Sequence, residues 1–103
     1  MSRALTIGLS AGLALAPAFA HADAAAAKER AQTVCAGCHG PEGISASPLY
    51  PHIAGQQATY LAKAIRDYRD GKRSDPLMSP MAQGLSDAQV EDLAAYFAGL
   101  SRK

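Results

Sequence analysis

The sequence has no tryptophan, and only 6% of its 103 residues are aromatic. Alanine is the most frequent of its apolar residues, and alanine favours helices but fills little of a core. The 10 Lys and Arg residues nearly balance the 9 Asp and Glu residues. This balance argues against a nucleic-acid partner, which calls for a basic surface. The length allows one small domain.

Residues 1–22 have the pattern of a secretory signal peptide. Arg3 supplies the positive start, residues 5–16 are uncharged and mostly apolar, and small-x-small motifs at 18–20 and 20–22 fit a cleavage site. The apolar run is shorter than the about 20 residues that a membrane span needs, which disfavours a retained anchor. We therefore expect an exported, periplasmic domain of residues 23–103 that does not span the membrane.

The only two cysteines of the chain lie three positions apart, in the segment Cys-Ala-Gly-Cys-His at residues 35–39. C-x-x-C-H is the attachment motif of c-type haem. Cys35 and Cys38 would each form a thioether bond with one haem vinyl group, and His39 would supply the proximal iron ligand. A redox-active cysteine pair is expected near a βαβ pattern, and a zinc site usually needs a second pair; the sequence has neither.

Three stretches have the apolar spacing of helices. The first covers about residues 24–34, the second covers 57–70, and the third begins at Ser86, where Gln89 completes a capping-box pattern. Gly71 is placed to end the second helix. The apolar stripes are Ala27, Ala31 and Val34 in the first helix, Leu61, Ala64, Ile65 and Tyr68 in the second, and Val90, Leu93, Ala94, Phe97 and Leu100 in the third.

Two irregular stretches, residues 40–55 and 72–85, connect these helices, and no strand alternation is visible. Long loops in a small domain are usually functional, and here they would wrap the two faces of a haem. The sequence therefore predicts an all-α domain of three main helices around one covalently bound haem.

The second axial ligand of the iron has three candidates, Met78, Met81 and His52. A His/Met pair is typical of cytochromes c, and a bis-His pair is the alternative. Pro76 and Pro80 would stiffen the chain around Met78, which favours it slightly over Met81. His52 follows the proximal histidine too closely to reach the opposite haem face easily. The residues alone leave the choice open.

Taken together, these segments resemble the class I cytochromes c, and most closely a single haem domain of the bacterial periplasmic cytochrome c4-type proteins. The resemblance covers nearly the whole of residues 23–103. It is carried by residues 35–40 (CAGCHG), 48–51 (PLYP), 53–56 (IAGQ), 60–61 (YL), 71–73 (GKR), 78–81 (MSPM), 85–87 (LSD) and 94–97 (AAYF).

The resemblance implies roles for single residues. The axial methionine of such domains lies seven residues before the leucine of the L-S-D segment, which selects Met78. A proline carbonyl accepts the ring N–H of the proximal histidine, and Pro48 matches that position. Weaker matches place Gln56, Tyr60 and Arg73 near the haem propionates. The last helix should cross the first.

The resemblance also implies a one-electron carrier with haem c as its cofactor and other redox proteins as its partners, rather than an enzyme. The alternative is the haem c subunit of a larger oxidoreductase, such as a flavocytochrome c sulfide dehydrogenase. A sensor or peroxidase in which Met78 is displaced ranks last, because the sequence offers no obvious distal acid or base. Cytochrome c4-type proteins carry two haem domains, whereas this chain has one attachment motif.

Overall fold

The computed structural model describes residues 23–102, so the predicted leader and its cleavage site lie outside the described residues. Six helical elements follow one another: α1 (Ala24–Arg30), a π-helical segment (Ala31–Cys35), α2 (Ala36–His39), α3 (Ala58–Asp70), α4 (Met78–Gln83) and α5 (Asp87–Ala98). No strand occurs between residues 23 and 102, in agreement with the predicted all-α class. None of the helices in this range has both the length and the apolar character to cross a bilayer.

The first three elements form one uninterrupted helical stretch that ends in the haem-attachment motif. Asp23 caps it, because its carboxylate accepts a hydrogen bond from the Ala26 N–H at 3.0 Å. The predicted first helix ended near Val34, but helical backbone continues to His39. Gly40 ends the stretch, with φ +81° and ψ +154°, a combination essentially confined to glycine.

The π-helical turn corrects one predicted core residue. Ala27 and Ala31 are buried as predicted, whereas Val34 is 41% exposed. A π-helix has wider turns than an α-helix, so the residue that returns to the buried face comes later in the sequence. Cys35 takes that place and packs against the edge of the core. The α-helical period used for the prediction could not anticipate this shift.

The other two predicted helices are confirmed. α3 ends at Gly71, which has the left-handed backbone (φ +85°) of a C-terminal glycine. Ser86 caps α5 in a complete capping box: its hydroxyl accepts the Gln89 N–H at 3.1 Å, and the Gln89 side chain accepts the Ser86 N–H at 2.9 Å. These reciprocal bonds satisfy two backbone donors at the helix start.

The short helix α4 was not predicted, because the stretch that holds it was interpreted as irregular. Its six residues are too few to show a period, and Pro80 lies among them. Proline is tolerated in the first turn of a helix, where the missing N–H has no intrahelical partner. The pair Asp75-Pro76, a capping residue followed by proline, is the sequence signal that could have indicated a helix start here.

The core lies where α5 packs against α1 on one side and α3 on the other, and α4 packs against α3. The predicted crossing of the first and last helices is therefore confirmed. Val90 is the largest side chain with less than 2% exposure. The buried cluster consists of Ala27, Ala31, Leu61, Ala62, Leu85, Val90, Leu93, Ala94 and Phe97. Because four of these nine residues are alanines, the polypeptide supplies only a small apolar core of its own.

Candidate haem site

The attachment motif lies at the end of the first helical stretch. Cys35 is the last residue of the π-helical segment, while Cys38 and His39 belong to α2. Both cysteines are partly buried and free of disulfide bonds. Burial raises the pKa of the Cys35 thiol, with a smaller opposing effect from the positive charge of Arg30. The helix thus presents two thiols immediately before a buried histidine.

His39 is 8% exposed, and its ring orientation is fixed by one hydrogen bond. Its Nδ1 atom lies 2.9 Å from the carbonyl oxygen of Pro51. A carbonyl oxygen only accepts, so Nδ1 carries the proton and donates it. The other ring nitrogen, Nε2, is not used in this bond and is the atom that can bind iron. An acceptor that bonds the N–H of a metal-binding imidazole fixes its tautomer and raises its basicity.

The acceptor is Pro51 and not Pro48, so the assignment carried over from the family resemblance was wrong. Pro48 lies in a turn closed by the Tyr50 N–H on the Ser47 carbonyl oxygen (3.2 Å), and its side chain is exposed. The chain comes back towards His39 only after this turn, at Pro51. Two prolines three residues apart could not be distinguished by sequence matching alone.

The connection that carries Pro51, residues 40–57, is called the proximal loop. Its two arms are joined by the carbonyl oxygen of Gly43, which accepts the N–H groups of Ile53 at 2.8 Å and Ala54 at 3.0 Å. Gly40 allows the tight entry: a Cβ there would lie 2.0 Å from the carbonyl oxygen of Ile44. The backbone itself therefore holds the loop in the form that places Pro51.

His52, the bis-His candidate, belongs to the same loop and has a structural role there. Its side chain is exposed, and its Nδ1 accepts the N–H of the buried Ser45 at 2.9 Å. This bond ties the two arms of the proximal loop together near Pro51. The ring is thus engaged on the side of the molecule that holds His39.

The methionine candidates lie in α4, within the connection of residues 71–86, called here the distal segment. Met78 is the first residue of α4 and is partly buried, whereas Met81 is 55% exposed. The carboxylate of Asp75 accepts the N–H groups of Leu77 at 2.8 Å and Met78 at 2.9 Å. Both bonds lower the pKa of Asp75, and the bond from Met78 has the larger effect. The carboxylate is therefore charged at neutral pH.

The three weak propionate candidates all lie at least partly in contact with solvent. The Gln56 side chain accepts the Gln57 N–H at 2.9 Å, and Tyr60 is 51% exposed. The Arg73 guanidinium lies 4.5 Å from the centre of the Tyr68 ring, a cation–π contact that engages it locally. Their roles towards a haem remain predictions.

The donor set of the site fits a haem better than a bare metal ion. Residues 23–102 contain no group of three or more His, Cys, Asp or Glu side chains that could hold an ion. What they offer instead is two free thiols for covalent attachment, one oriented imidazole and a thioether. Imidazole and thioether are the axial donors of haem iron in cytochromes c.

Comparison with known proteins gives a consistent result. The cytochrome c family matches residues 24–101. The chain is 50% identical over 78 residues to cytochrome c-554(548) of Halomonas halodenitrificans, a match that covers 73% of this chain and 93% of that protein. It is 45% identical over 98 residues to cytochrome c4 of Pseudomonas aeruginosa, covering 95% of this chain and 46% of that protein.

Two further matches concern a complex subunit and a solved structure. The chain is 38% identical over 69 residues to the cytochrome subunit of sulfide dehydrogenase of Chlorobaculum tepidum, covering 67% of this chain and 62% of that protein. The structure of cytochrome c4 from Acidithiobacillus ferrooxidans superposes with a TM-score of 0.71 at 32% identity, covering 78% of this chain and 51% of that one. The chain thus spans about half the length of its cytochrome c4 relatives.

The fold, the attachment motif and these matches agree on one family. Its members bind haem c covalently, and this chain has the two cysteines that such attachment needs. The haem supplies one-electron chemistry, and the polypeptide sets its environment. The chain belongs to the cytochrome c family, as a class I electron carrier that resembles a single haem domain of cytochrome c4.

Proposed function

We propose that the protein carries single electrons in the periplasm and that His39 and Met78 are the two axial ligands of its haem iron. The observation that carries this proposal is the state of His39. The residue directly follows both attachment cysteines, is buried, and has Nδ1 engaged by the Pro51 carbonyl oxygen. Nε2 is therefore the ring nitrogen that remains to bind the iron.

Met78 is the better second ligand of the two methionines. It lies at the start of α4, where hydrogen bonds from its own N–H and its neighbour's fix the backbone. Met81 is more exposed and lies one turn further along. A His/Met pair raises the reduction potential relative to a bis-His pair. With both axial positions held, the iron has no open site for a substrate, which suits a carrier rather than a catalyst.

The ligand assignment is tested by visible spectra of the reduced protein with and without carbon monoxide. We expect a low-spin c-type spectrum that carbon monoxide leaves unchanged in the native protein. Met78→Ala should open the sixth position, so that carbon monoxide shifts the spectrum and the potential falls. Met81→Ala is the matched control and should behave as the native protein does. If the two variants exchange these results, Met81 is the ligand and the assignment is wrong.

The periplasmic location rests on the leader pattern of residues 1–22 and on the kinship with cytochrome c4. It is tested by fractionating cells and measuring the mass of the haem protein. A periplasmic species that lacks residues 1–22 is the expected result. A mass that retains these residues would contradict the cleavage.

A subunit role in a larger oxidoreductase is the second candidate function. The relative in Chlorobaculum tepidum is the cytochrome subunit of a sulfide dehydrogenase, which supports this reading. The catalytic chemistry would then belong to the partner, and this chain would receive its electrons. Gentle purification of the native protein distinguishes the two: a free haem protein supports the carrier, and a stable stoichiometric partner supports the subunit.

A further inference from the structure

A knot of four hydrogen bonds ties residues 75–79 together at the start of α4. The Asp75 carboxylate accepts the Leu77 and Met78 N–H groups, at 2.8 and 2.9 Å. The Asp75 N–H donates to the Ser79 hydroxyl at 3.0 Å, and the Ser79 N–H donates to the Asp75 carbonyl oxygen at 3.1 Å. Asp75 takes part in every one of these bonds.

The helix α4, which begins within these residues, is too short to stabilise its own first turn. α4 has six residues, far fewer than an isolated helix needs to be stable in water. Its formal capping residue, Leu77, has no side-chain acceptor and makes no capping bond. The Asp75 carboxylate fills this role from two residues upstream, because it takes up donors that a helix start leaves without partners.

Burial does not replace this anchor. The buried residue of α4 is Ala82, near its C-terminal end, and Leu85 is buried just after the helix. At the other end, Leu77 is 51% exposed and Pro80 is also exposed. The fully buried apolar contacts therefore lie in the C-terminal half of the distal segment. In the half that carries Met78, which is only partly buried, the hydrogen bonds to Asp75 are the main local restraint on the backbone.

We propose that Asp75 is the positioning residue of the axial methionine: its carboxylate fixes the backbone of Met78 and thereby the place of the thioether sulfur. This inference rests on the proposed His39/Met78 ligation. Asp75 does not touch the iron or the porphyrin in this role. It lowers the freedom of the backbone that carries the ligand, so that Met78 stays bound in both oxidation states.

The test compares the haem-loaded native protein with Asp75→Ala, Asp75→Asn and the control Asp70→Asn. Asp70 is an exposed carboxylate five residues upstream that pairs with Arg69, so its replacement removes the same charge without touching the knot. Three quantities are measured: the rate at which the reduced form binds carbon monoxide, the sulfur-to-iron charge-transfer band of the ferric form, and amide hydrogen exchange at Leu77 and Met78.

We expect Asp75→Ala to raise the carbon monoxide binding rate by about tenfold or more, because charge-assisted bonds to two amides are lost. The charge-transfer band should weaken and the two amides should exchange faster. Asp75→Asn keeps an uncharged acceptor and should give a smaller change in the same direction. Asp70→Asn should leave all three quantities unchanged. If Asp75→Ala does not incorporate haem, Asp75→Asn decides by the same readouts.

Two outcomes overturn the proposal, and they are distinct from failure of the ligand assignment. Asp75 variants that lose stability but keep the native carbon monoxide rate and charge-transfer band would show a structural residue only. An Asp70→Asn effect as large as that of Asp75→Asn would show that charge alone is responsible. If Met78→Ala leaves the spectrum unchanged, the ligation itself is wrong, whatever the Asp75 variants do.

Discussion

In the proposed His39/Met78 ligation, the proximal loop and the distal segment would each hold one axial ligand, and the two connections are built differently. The proximal loop contains no helix and is held by several backbone contacts, among them both amides on the Gly43 carbonyl oxygen. A side-chain bond from His52 to the Ser45 N–H adds to them. The distal segment contains a helix, and the Asp75 carboxylate accepts the N–H groups of two successive residues at the start of that helix.

This difference predicts how each connection fails. Loss of one side chain should loosen the proximal loop only slightly, because other bonds keep Pro51 in place. The proximal loop is instead sensitive to changes of the backbone itself. In the distal segment, the proposal makes the single side chain of Asp75 responsible for the position of Met78. A carrier built this way would keep its histidine under most substitutions and lose its methionine first.

The largest effect is expected at Gly40, where the proximal loop begins. Gly40→Ala would put a Cβ 2.0 Å from the Ile44 carbonyl oxygen in addition to straining a glycine conformation. We expect a loss of at least about 3 kcal/mol in the free energy of unfolding and poor haem incorporation. Denaturant unfolding and the haem-to-protein ratio measure both.

Gly71 provides the matched control, since it too has a positive φ but no atom within 4 Å of its added Cβ. Gly71→Ala should cost only the about 1–2 kcal/mol of the left-handed backbone. Equal losses in the free energy of unfolding for the two variants would show that the close approach to Ile44 is unimportant. The backbone contacts at Gly40 would then not determine the stability of the proximal loop.

A smaller effect is expected when the side-chain bond of the proximal loop is removed. His52→Ala leaves the buried Ser45 N–H without its acceptor, at a cost of about 1–2 kcal/mol. His52→Asn can place its amide oxygen near the former Nδ1 position and should recover part of the loss. Thermal unfolding of the loaded protein measures both, and the carbon monoxide rate should stay native. A fast rate would contradict the redundancy of the proximal loop.

At the end of the distal segment, removal of the Ser86 side chain should lower the stability by the amount typical of one helix cap. Ser86→Ala removes the acceptor of the Gln89 N–H and should cost about 1 kcal/mol. Ser86→Asp keeps an acceptor and serves as the control. Because this site lies beyond Leu85, the charge-transfer band should remain native in both variants. A weakened band would mean that the cap of α5 also positions Met78.

The smallest effect is expected at Asp70, just before the distal segment, and it depends on pH. The hydrogen bond from Arg69 lowers the pKa of Asp70 in the folded state. Its contribution to stability is thus present above the ordinary pKa of aspartate, about 3.9, and is lost as pH falls through the lower folded value. At neutral pH the native protein should have a slightly higher free energy of unfolding than Asp70→Asn. In acid the unfolding curves of the two proteins should converge. A difference that grows in acid would contradict this sign.

Local patterns predicted much of this molecule. The Ser86 capping box, the terminal Gly71 and the buried Val90 stripe follow from short-range rules that need no tertiary information. The C-x-x-C-H spacing likewise predicted haem c as the cofactor, in agreement with the cytochrome c family match, because thioether chemistry fixes the order of the residues. These features share one property: the interacting groups are within four residues of each other.

The errors concern features that depend on the path of the chain. The resemblance gave the acceptor role to Pro48, because the turn at residues 47–50, which brings Pro51 and not Pro48 to His39, is not visible in a family pattern. Val34 was placed in the core because a regular period was assumed through a π-helical turn. Asp75 is a different case, because its partners are local: the Asp75-Pro76 pair could have indicated the helix start, but not which backbone N–H groups the carboxylate accepts.

The π-helical segment has a consequence for the relation between packing and chemistry. In an α-helix each residue advances the direction of the side chains by about 100°, so removing one residue from Ala31–Cys35 would turn everything after it by that angle. α1 would still lie against α5, but Cys38 and His39 would face elsewhere. The wide turn thus sets the direction in which Cys38 and His39 face without changing how α1 packs against α5.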